Sequence, residues 1–129
     1  MTKKKLTITD LINKKEQLTG NKKKTKELYI EQLDATITIE TPERSLVLEA
    51  LELANDKEFE GNPDDFLVYN IVLEPNLKDQ ELQKIYGCKE PTDIVPMIFD
   101  AGTVTGIAQE GMKLAGFSSK VTPVDDLKN

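Results

Sequence analysis

The sequence has 129 residues, of which 38% are hydrophobic and 5% aromatic, and its formal net charge is −6. It contains no histidine and a single cysteine, so it cannot form a Ser-His or Cys-His nucleophile or a zinc site with several Cys or His ligands. No apolar run approaches the ~18 residues that span a bilayer. We therefore expect a cytoplasmic protein, without cofactor or small-molecule substrate, that is not an enzyme and acts by binding another protein.

Charge is distributed unevenly along the chain. Residues 1–26 contain nine lysines against Asp10 and Glu16, which gives a net charge of +7, whereas residues 27–129 have a net charge of −13. Such a basic segment is either a solvated arm or a contact for nucleic acid or an acidic partner. Because it contains no aromatic residue on which bases would stack, nucleic-acid binding is the less favoured interpretation.

Residues 1–26 contain few patterns typical of regular secondary structure. The exception is a short helix that is predicted to start near Thr9 and to end at Gly20. The sequence therefore predicts a basic, partly flexible arm over residues 1–26. A single α+β domain is expected over residues 27–117, followed by a flexible polar tail over residues 118–129.

The domain is predicted to begin with a two-stranded antiparallel hairpin. Hydrophobic residues alternate with polar ones over 27–33 and again over 35–40, which is the pattern of half-buried strands. Leu28 and Ile30 share one face of the first strand, and Ile37 and Ile39 share one face of the second.

About four helices are predicted to follow the hairpin. The first starts at Thr41-Pro42 and runs to about Asn55, and its apolar stripe is expected to cover the hairpin. Asn62-Pro63 starts a second, for which the apolar run 66–73 also permits a strand, although the cap favours a helix. Pro75 ends that element.

Further helical segments complete the prediction. A short helix near 79–86 stops at Gly87, and another starts at Thr92. Thr103 is expected to cap the final helix, which ends at the glycine C-cap Gly116.

The final helix offers a candidate partner-binding surface. Its apolar residues form a stripe that fits either an exposed groove for a partner helix or the core, and the candidate binding residues are Val104, Ile107, Met112 and Leu114. Gly106 and Gly111 each cost about 1 kcal/mol relative to Ala inside a helix, which indicates close packing within the domain or against a partner.

Two other features are better explained without a functional site. Cys88 lies in a loop beside Lys89, and an incidental half-buried cysteine is the simpler interpretation. The acids over residues 56–65 lack the glycine and glutamate spacing of a calcium-binding loop, and they suit a solvated connector and helix capping.

The order of elements along residues 5–117 resembles the XkdN-like tail assembly chaperones of phages and prophages of Gram-positive bacteria. The segments that carry this resemblance are Thr-Ile-Thr-Ile-Glu at 36–40, an acidic Leu-rich helix at 43–55, Asp-Phe-Leu-Val-Tyr-Asn-Ile-Val at 65–72, Glu-Pro-Asn-Leu at 74–77, Tyr-Gly at 86–87, Glu-Pro-Thr-Asp-Ile-Val-Pro at 90–96, Gly-Thr-Val at 102–104 and Lys-Leu-Ala-Gly-Phe at 113–117.

The resemblance implies a chaperone that acts in the cytoplasm of the host bacterium and binds the aggregation-prone tape measure protein of the phage tail. It also implies that the chaperone is absent from the finished virion and that no catalytic or cofactor residues exist to assign. A nucleic-acid-binding accessory protein and a structural tail component are the alternatives. The resemblance leaves open whether the chain forms a homo-oligomer.

Overall fold

The computed structural model describes residues 4–20, 23–117 and 121–127. The chain divides into two compact units, one made of Met1–Lys22 with Ser119–Asn129 and the other of Lys23–Ser118. We call the second unit the body. Its described residues contain three strands and five α-helices, so the predicted α+β class is confirmed, whereas the hairpin with four helices needs correction.

The first unit contains two short helices, α1 (Ile8–Asn13) and α2 (Lys15–Thr19). Thr7 and Asp10 cap α1 reciprocally, since each side chain accepts a hydrogen bond from the backbone N–H of the other. The ion pair with Lys4 and the hydrogen bonds from Thr7 lower the pKa of the Asp10 carboxyl.

The predicted flexible tail is described only in part. Val124–Leu127 forms a 3-10 helix, and residues 118–120 and 128–129 of the predicted tail lie outside the described residues.

The body starts with strands β1 (Thr25–Ile30) and β2 (Ala35–Glu40), which pair antiparallel. A 3-10 helix at Glu31–Leu33 and Asp34 in the left-handed conformation (φ 48°) connect them. The Tyr29 hydroxyl donates a 2.5 Å hydrogen bond to the Asp34 carboxylate, which raises the pKa of Tyr29. This turn fixes the register of the hairpin that the alternating sequence predicted.

A third strand, β3 (Val72–Glu74), pairs antiparallel with β2, so that β2 is central and β1 is an edge strand. The sequence favoured a helix over 66–73 and left a strand as the alternative, and β3 begins at the end of that run. Its residues continue the apolar run that favoured a helix, and helix α4 (Pro63–Ile71) does fill the first part of that run. The chain then passes directly from α4 into β3 because the pairing groups of β2 lie beside it.

Helix α3 (Arg44–Asn55) corrects two expectations. Its N-cap is Glu43 rather than Thr41, whose hydroxyl instead accepts a hydrogen bond from the backbone N–H of Lys24. The helix packs mainly on α4 and does not cover the hairpin as predicted.

Capping residues in the sequence correctly indicated where the next helices lie. Asn62 caps α4 by accepting a 2.9 Å hydrogen bond from the N–H of Asp64. Helix α5 (Gln80–Ile85) is capped by Asp79 and is followed by Gly87 at φ 69°. Helix α6 (Ile94–Ile98) follows a 3-10 turn at Pro91–Asp93.

The last helix, α7 (Ala101–Leu114), is capped by Asp100, which accepts a 2.9 Å hydrogen bond from the N–H of Thr103. The prediction that Thr103 is the cap was therefore wrong. The predicted glycine C-cap is confirmed, because Gly116 adopts φ 81° and the N–H of Phe117 donates to the carbonyl of Met112 at 2.9 Å.

Helix α7 packs against α4 and also contacts β1 and β2, so the core lies between the sheet and these helices. Gly111 faces the buried side chain of Ile71, and a Cβ added there would lie 2.5 Å from the Ile71 Cδ1. Gly106 is different, since a Cβ added to it would meet no heavy atom within 4 Å. The absence of a side chain therefore has a different structural role at each of these two glycines.

Substituting each glycine by alanine should have opposite effects. Gly106→Ala should raise the free energy of unfolding by up to about 1 kcal/mol through helix propensity. Gly111→Ala should lower it by roughly 1–2 kcal/mol, because overpacking against Ile71 outweighs that gain. Urea denaturation of both variants measures the effects, and equal shifts of the same sign would contradict the assigned packing.

Candidate partner-binding groove

A groove of about 920 Å³ runs along the body between β1 and the N-terminal half of α7. One wall is the chain from Lys26 to Gln32. Asp100, Gly102, Thr103, Gly106, Ile107 and Glu110 form the other wall. We call this feature the β1–α7 groove.

An ion pair and a hydrogen-bonded clamp join the two walls. Lys26 Nζ lies 3.3 Å from a carboxylate oxygen of Glu110, and so connects β1 to α7. The Gln32 side-chain amide donates to the carbonyl of Ile98 at 3.1 Å and accepts from the N–H of Asp100 at 2.9 Å. The clamp fixes the chain after β1 to the start of α7, so the groove is built into the fold.

The groove is acidic. Four carboxylates line it against the single lysine, Lys26, and they belong to Glu27, Glu31, Asp100 and Glu110. Hydrogen bonds from Thr103 lower the pKa of Asp100, and hydrogen bonds from Lys26 and Lys113 lower the pKa of Glu110. Both groups are therefore ionised at neutral pH, and the groove favours a basic ligand.

Small residues keep the α7 wall open. Gly102 and Gly106 are separated by one helical turn, and a Cβ at either position would meet no heavy atom within 4 Å. Apolar side chains from both walls line the groove as well, namely Leu28, Ile30 and Ile107. An elongated ligand could therefore approach the backbone of α7 closely while contacting β1.

The four residues predicted to bind a partner lie in or against the core. Val104 and Ile107 are each only 2% exposed, whereas Met112 and Leu114 are half-buried and pack against the buried cluster. Ile107 alone among them reaches the β1–α7 groove. Partner binding by these residues stays a prediction, but Val104 and Ile107 offer little surface in this conformation.

Sequence reasoning missed the β1 wall of the groove. The signal that was available is the pair Gly102 and Gly106, because helix glycines one turn apart leave a bare strip on one face. Nothing in the sequence indicated that this strip would lie opposite an edge strand.

The remaining candidate residues are not assembled into a chemical centre. Cys88 is half-buried, and its Sγ lies 3.9 Å from the Met97 Sδ. Asp65 lies in the first turn of α4, where burial, with a smaller effect of Asp64, raises its pKa. Within residues 4–20, 23–117 and 121–127, no group of three or more Cys, Asp or Glu residues is arranged to hold a metal ion.

Among the helices that the structure describes, none has the length and apolar character needed to cross a membrane.

The model of a phage protein family, the XkdN-like tail assembly chaperones, matches residues 54–128, more than half of the chain. The chain belongs to this family. No curated protein and no solved structure shows significant similarity to it.

The matched segment of this tail assembly chaperone begins near the end of α3 and includes α4, β3, α5, α6 and α7. It therefore contains the α7 wall of the groove, whereas the β1 wall precedes it. The resemblance noted from the order of elements is confirmed by this match. Family membership makes the protein an assembly factor with a protein partner.

The Gln32 clamp can be tested by two substitutions. Gln32→Ala removes the partners of the Ile98 carbonyl and the Asp100 N–H, which should lower the free energy of unfolding by about 1 kcal/mol, since water replaces part of the loss. Gln32→Glu keeps an acceptor for the Asp100 N–H but places a carboxylate oxygen against the Ile98 carbonyl, so its loss should become smaller as the pH is lowered and the new carboxyl gains a proton to donate. Urea denaturation distinguishes the two, and an unchanged midpoint for Gln32→Ala would contradict the clamp.

Proposed function

We propose that this chaperone binds the tape measure protein of its phage during tail assembly, in the cytoplasm of the host bacterium. Membership of the XkdN-like tail assembly chaperone family, based on residues 54–128, is the observation that carries the proposal. A tape measure protein is long and exposes apolar surface until the tail tube forms around it. A protein that covers such surface temporarily would keep it soluble.

Two surface features of the chain suit this role. The β1–α7 groove is open, elongated and lined by both apolar and acidic side chains. In the first unit, Leu6, Ile8 and Ile12 expose more than half of their side-chain surface. Exposed apolar groups of this size favour contact with another protein.

Binding of nucleic acid through residues 1–26 has weaker support. Lys4 forms an ion pair with Asp10 at 2.9 Å, and Lys26 forms one with Glu110 at 3.3 Å. These intramolecular pairs reduce the positive charge available to phosphates. The segment also offers no aromatic side chain on which a base would stack.

Co-expression with the tape measure protein of the same phage tests the proposal. The chaperone should increase the soluble fraction of the tape measure protein and co-purify with it. Co-expression with the tape measure protein of an unrelated phage is the control and should give neither effect. The absence of both effects with the matching protein would refute the proposal.

Purified phage particles provide an independent test, because a chaperone leaves before the tail is complete. Quantitative mass spectrometry should find the chain in infected-cell lysate and not in particles. Stoichiometric amounts in particles would instead identify it as a structural tail component.

A further inference from the structure

Among the residues that the structure describes, no strand pairs with the outer side of β1, which adjoins the β1–α7 groove. Lys24 and Thr41 face each other just before the β1–β2 register begins, and the N–H of Thr41 donates to the carbonyl of Lys24 at 2.8 Å. Because hydrogen-bonded and non-hydrogen-bonded pairs alternate in an antiparallel ladder, Lys26, Leu28 and Ile30 are the residues that bond to β2. The N–H and C=O groups of Thr25, Glu27 and Tyr29 therefore point away from β2.

These outward groups have no strand partner within the body. The sheet order is β1-β2-β3, so β1 is an edge, and no helix or strand of residues 23–117 pairs with it on that side. Such an edge is a template for an additional strand, since each of its unpaired groups gains a hydrogen bond when an extended chain lies beside it. A helix in the same place would leave those groups bonded to water alone.

The space beside this edge suits an extended chain. Gly102 and Gly106 add no side chain to the opposite wall of the groove, so a backbone can lie between α7 and β1 at these positions. The six residues of β1 give a pairing length of about 20 Å.

The charge of the β1–α7 groove determines which kind of segment would bind there. The groove carries four carboxylates and one lysine, so pairing two copies of the chain through this edge would place two grooves of the same negative net charge against each other. A segment that carries Lys or Arg would be attracted instead. The Lys26–Glu110 pair does not prevent this, because its partners are 46% and 30% exposed and such a pair contributes at most about 1 kcal/mol.

We propose that the β1–α7 groove binds an extended segment of the tape measure protein that carries lysine or arginine, and that this segment pairs with the free edge of β1 as a fourth strand. The inference rests on the proposed function, and it specifies the chemistry and conformation of the bound segment. The backbone of β1 supplies hydrogen bonds, while the carboxylates of Glu27 and Glu31 attract basic side chains.

Filling the groove tests the location of the site. Gly106→Gln places a long polar side chain in the groove, whereas Thr105→Gln places the same side chain on an exposed position of α7 outside it. The amount of the matching tape measure protein that co-purifies with the full-length chain after co-expression should fall roughly tenfold or more for Gly106→Gln. Thr105→Gln should bind as the wild type does.

Both glutamine variants should fold, since glutamine favours helices over glycine and neither position is buried in the core. Circular dichroism and thermal unfolding verify this before binding is compared. Equal co-purification by folded Gly106→Gln and wild type would overturn the proposed site.

Amide hydrogen exchange tests strand addition directly. In the free protein the amides of Glu27 and Tyr29 should exchange quickly and those of Lys26 and Leu28 slowly, because only the latter bond to β2. Binding should slow exchange at Glu27 and Tyr29. If these amides exchange as fast in the complex as in the free chain, the partner does not pair with β1.

A proline substitution removes the outward donor itself. Glu27→Pro eliminates one N–H at an edge position, where proline is tolerated, and should weaken binding more than Glu27→Gln, which removes only the charge. Equal effects of the two substitutions would argue against backbone pairing.

The outcomes separate the two proposals. If the wild type does not bind the tape measure protein, the proposed function fails and this inference fails with it. If the wild type binds while Gly106→Gln, Glu27→Pro and the Glu27 and Tyr29 amides show no effect, only the strand-addition site fails.

Discussion

The packing of α7 between α4 and the sheet is the constraint on which the rest of the body depends. In its second half, Gly111 allows the buried side chain of Ile71 to approach the helix axis. Val104, Ile107 and Ala108 bury the adjoining face of the helix. In its first half, Gly102 and Gly106 meet no neighbour and leave space beside β1. A single helix thus anchors the core and forms one wall of the groove, because its glycines meet different surroundings.

Local chemistry predicted the ends of elements better than their tertiary placement. Asn62 and Gly116 act within a few residues of the chain, so capping rules located the elements that they terminate. Strand β3 could not be separated from the preceding helix in the sequence, because three residues carry no periodic signal and the strand forms only where β2 offers it partners. The docking of α3 on α4 likewise depends on distant residues.

The site was harder to predict than the fold. An amphipathic stripe on α7 has the same sequence pattern whether it faces a partner or the core, and Val104 and Ile107 face the core. The glycines were equally ambiguous, since a missing Cβ serves close packing at Gly111 and an open wall at Gly106. The position of α4 beside Gly111 and that of the edge strand β1 across the groove from Gly106 distinguish these cases, and both positions follow from the whole fold.

An exposed edge strand usually carries a risk of self-association, and proteins reduce it with charged residues. Here Lys26 and Glu27 lie on β1, and the acidic groove beside it disfavours a second copy, whereas it would attract the proposed basic segment. The same chemistry limits affinity. Each net hydrogen bond contributes about 0.5–1.5 kcal/mol and each exposed ion pair at most about 1 kcal/mol, and both are offset by the cost of ordering the bound segment. Moderate affinity suits a tail assembly chaperone, because an assembly factor has to release its partner.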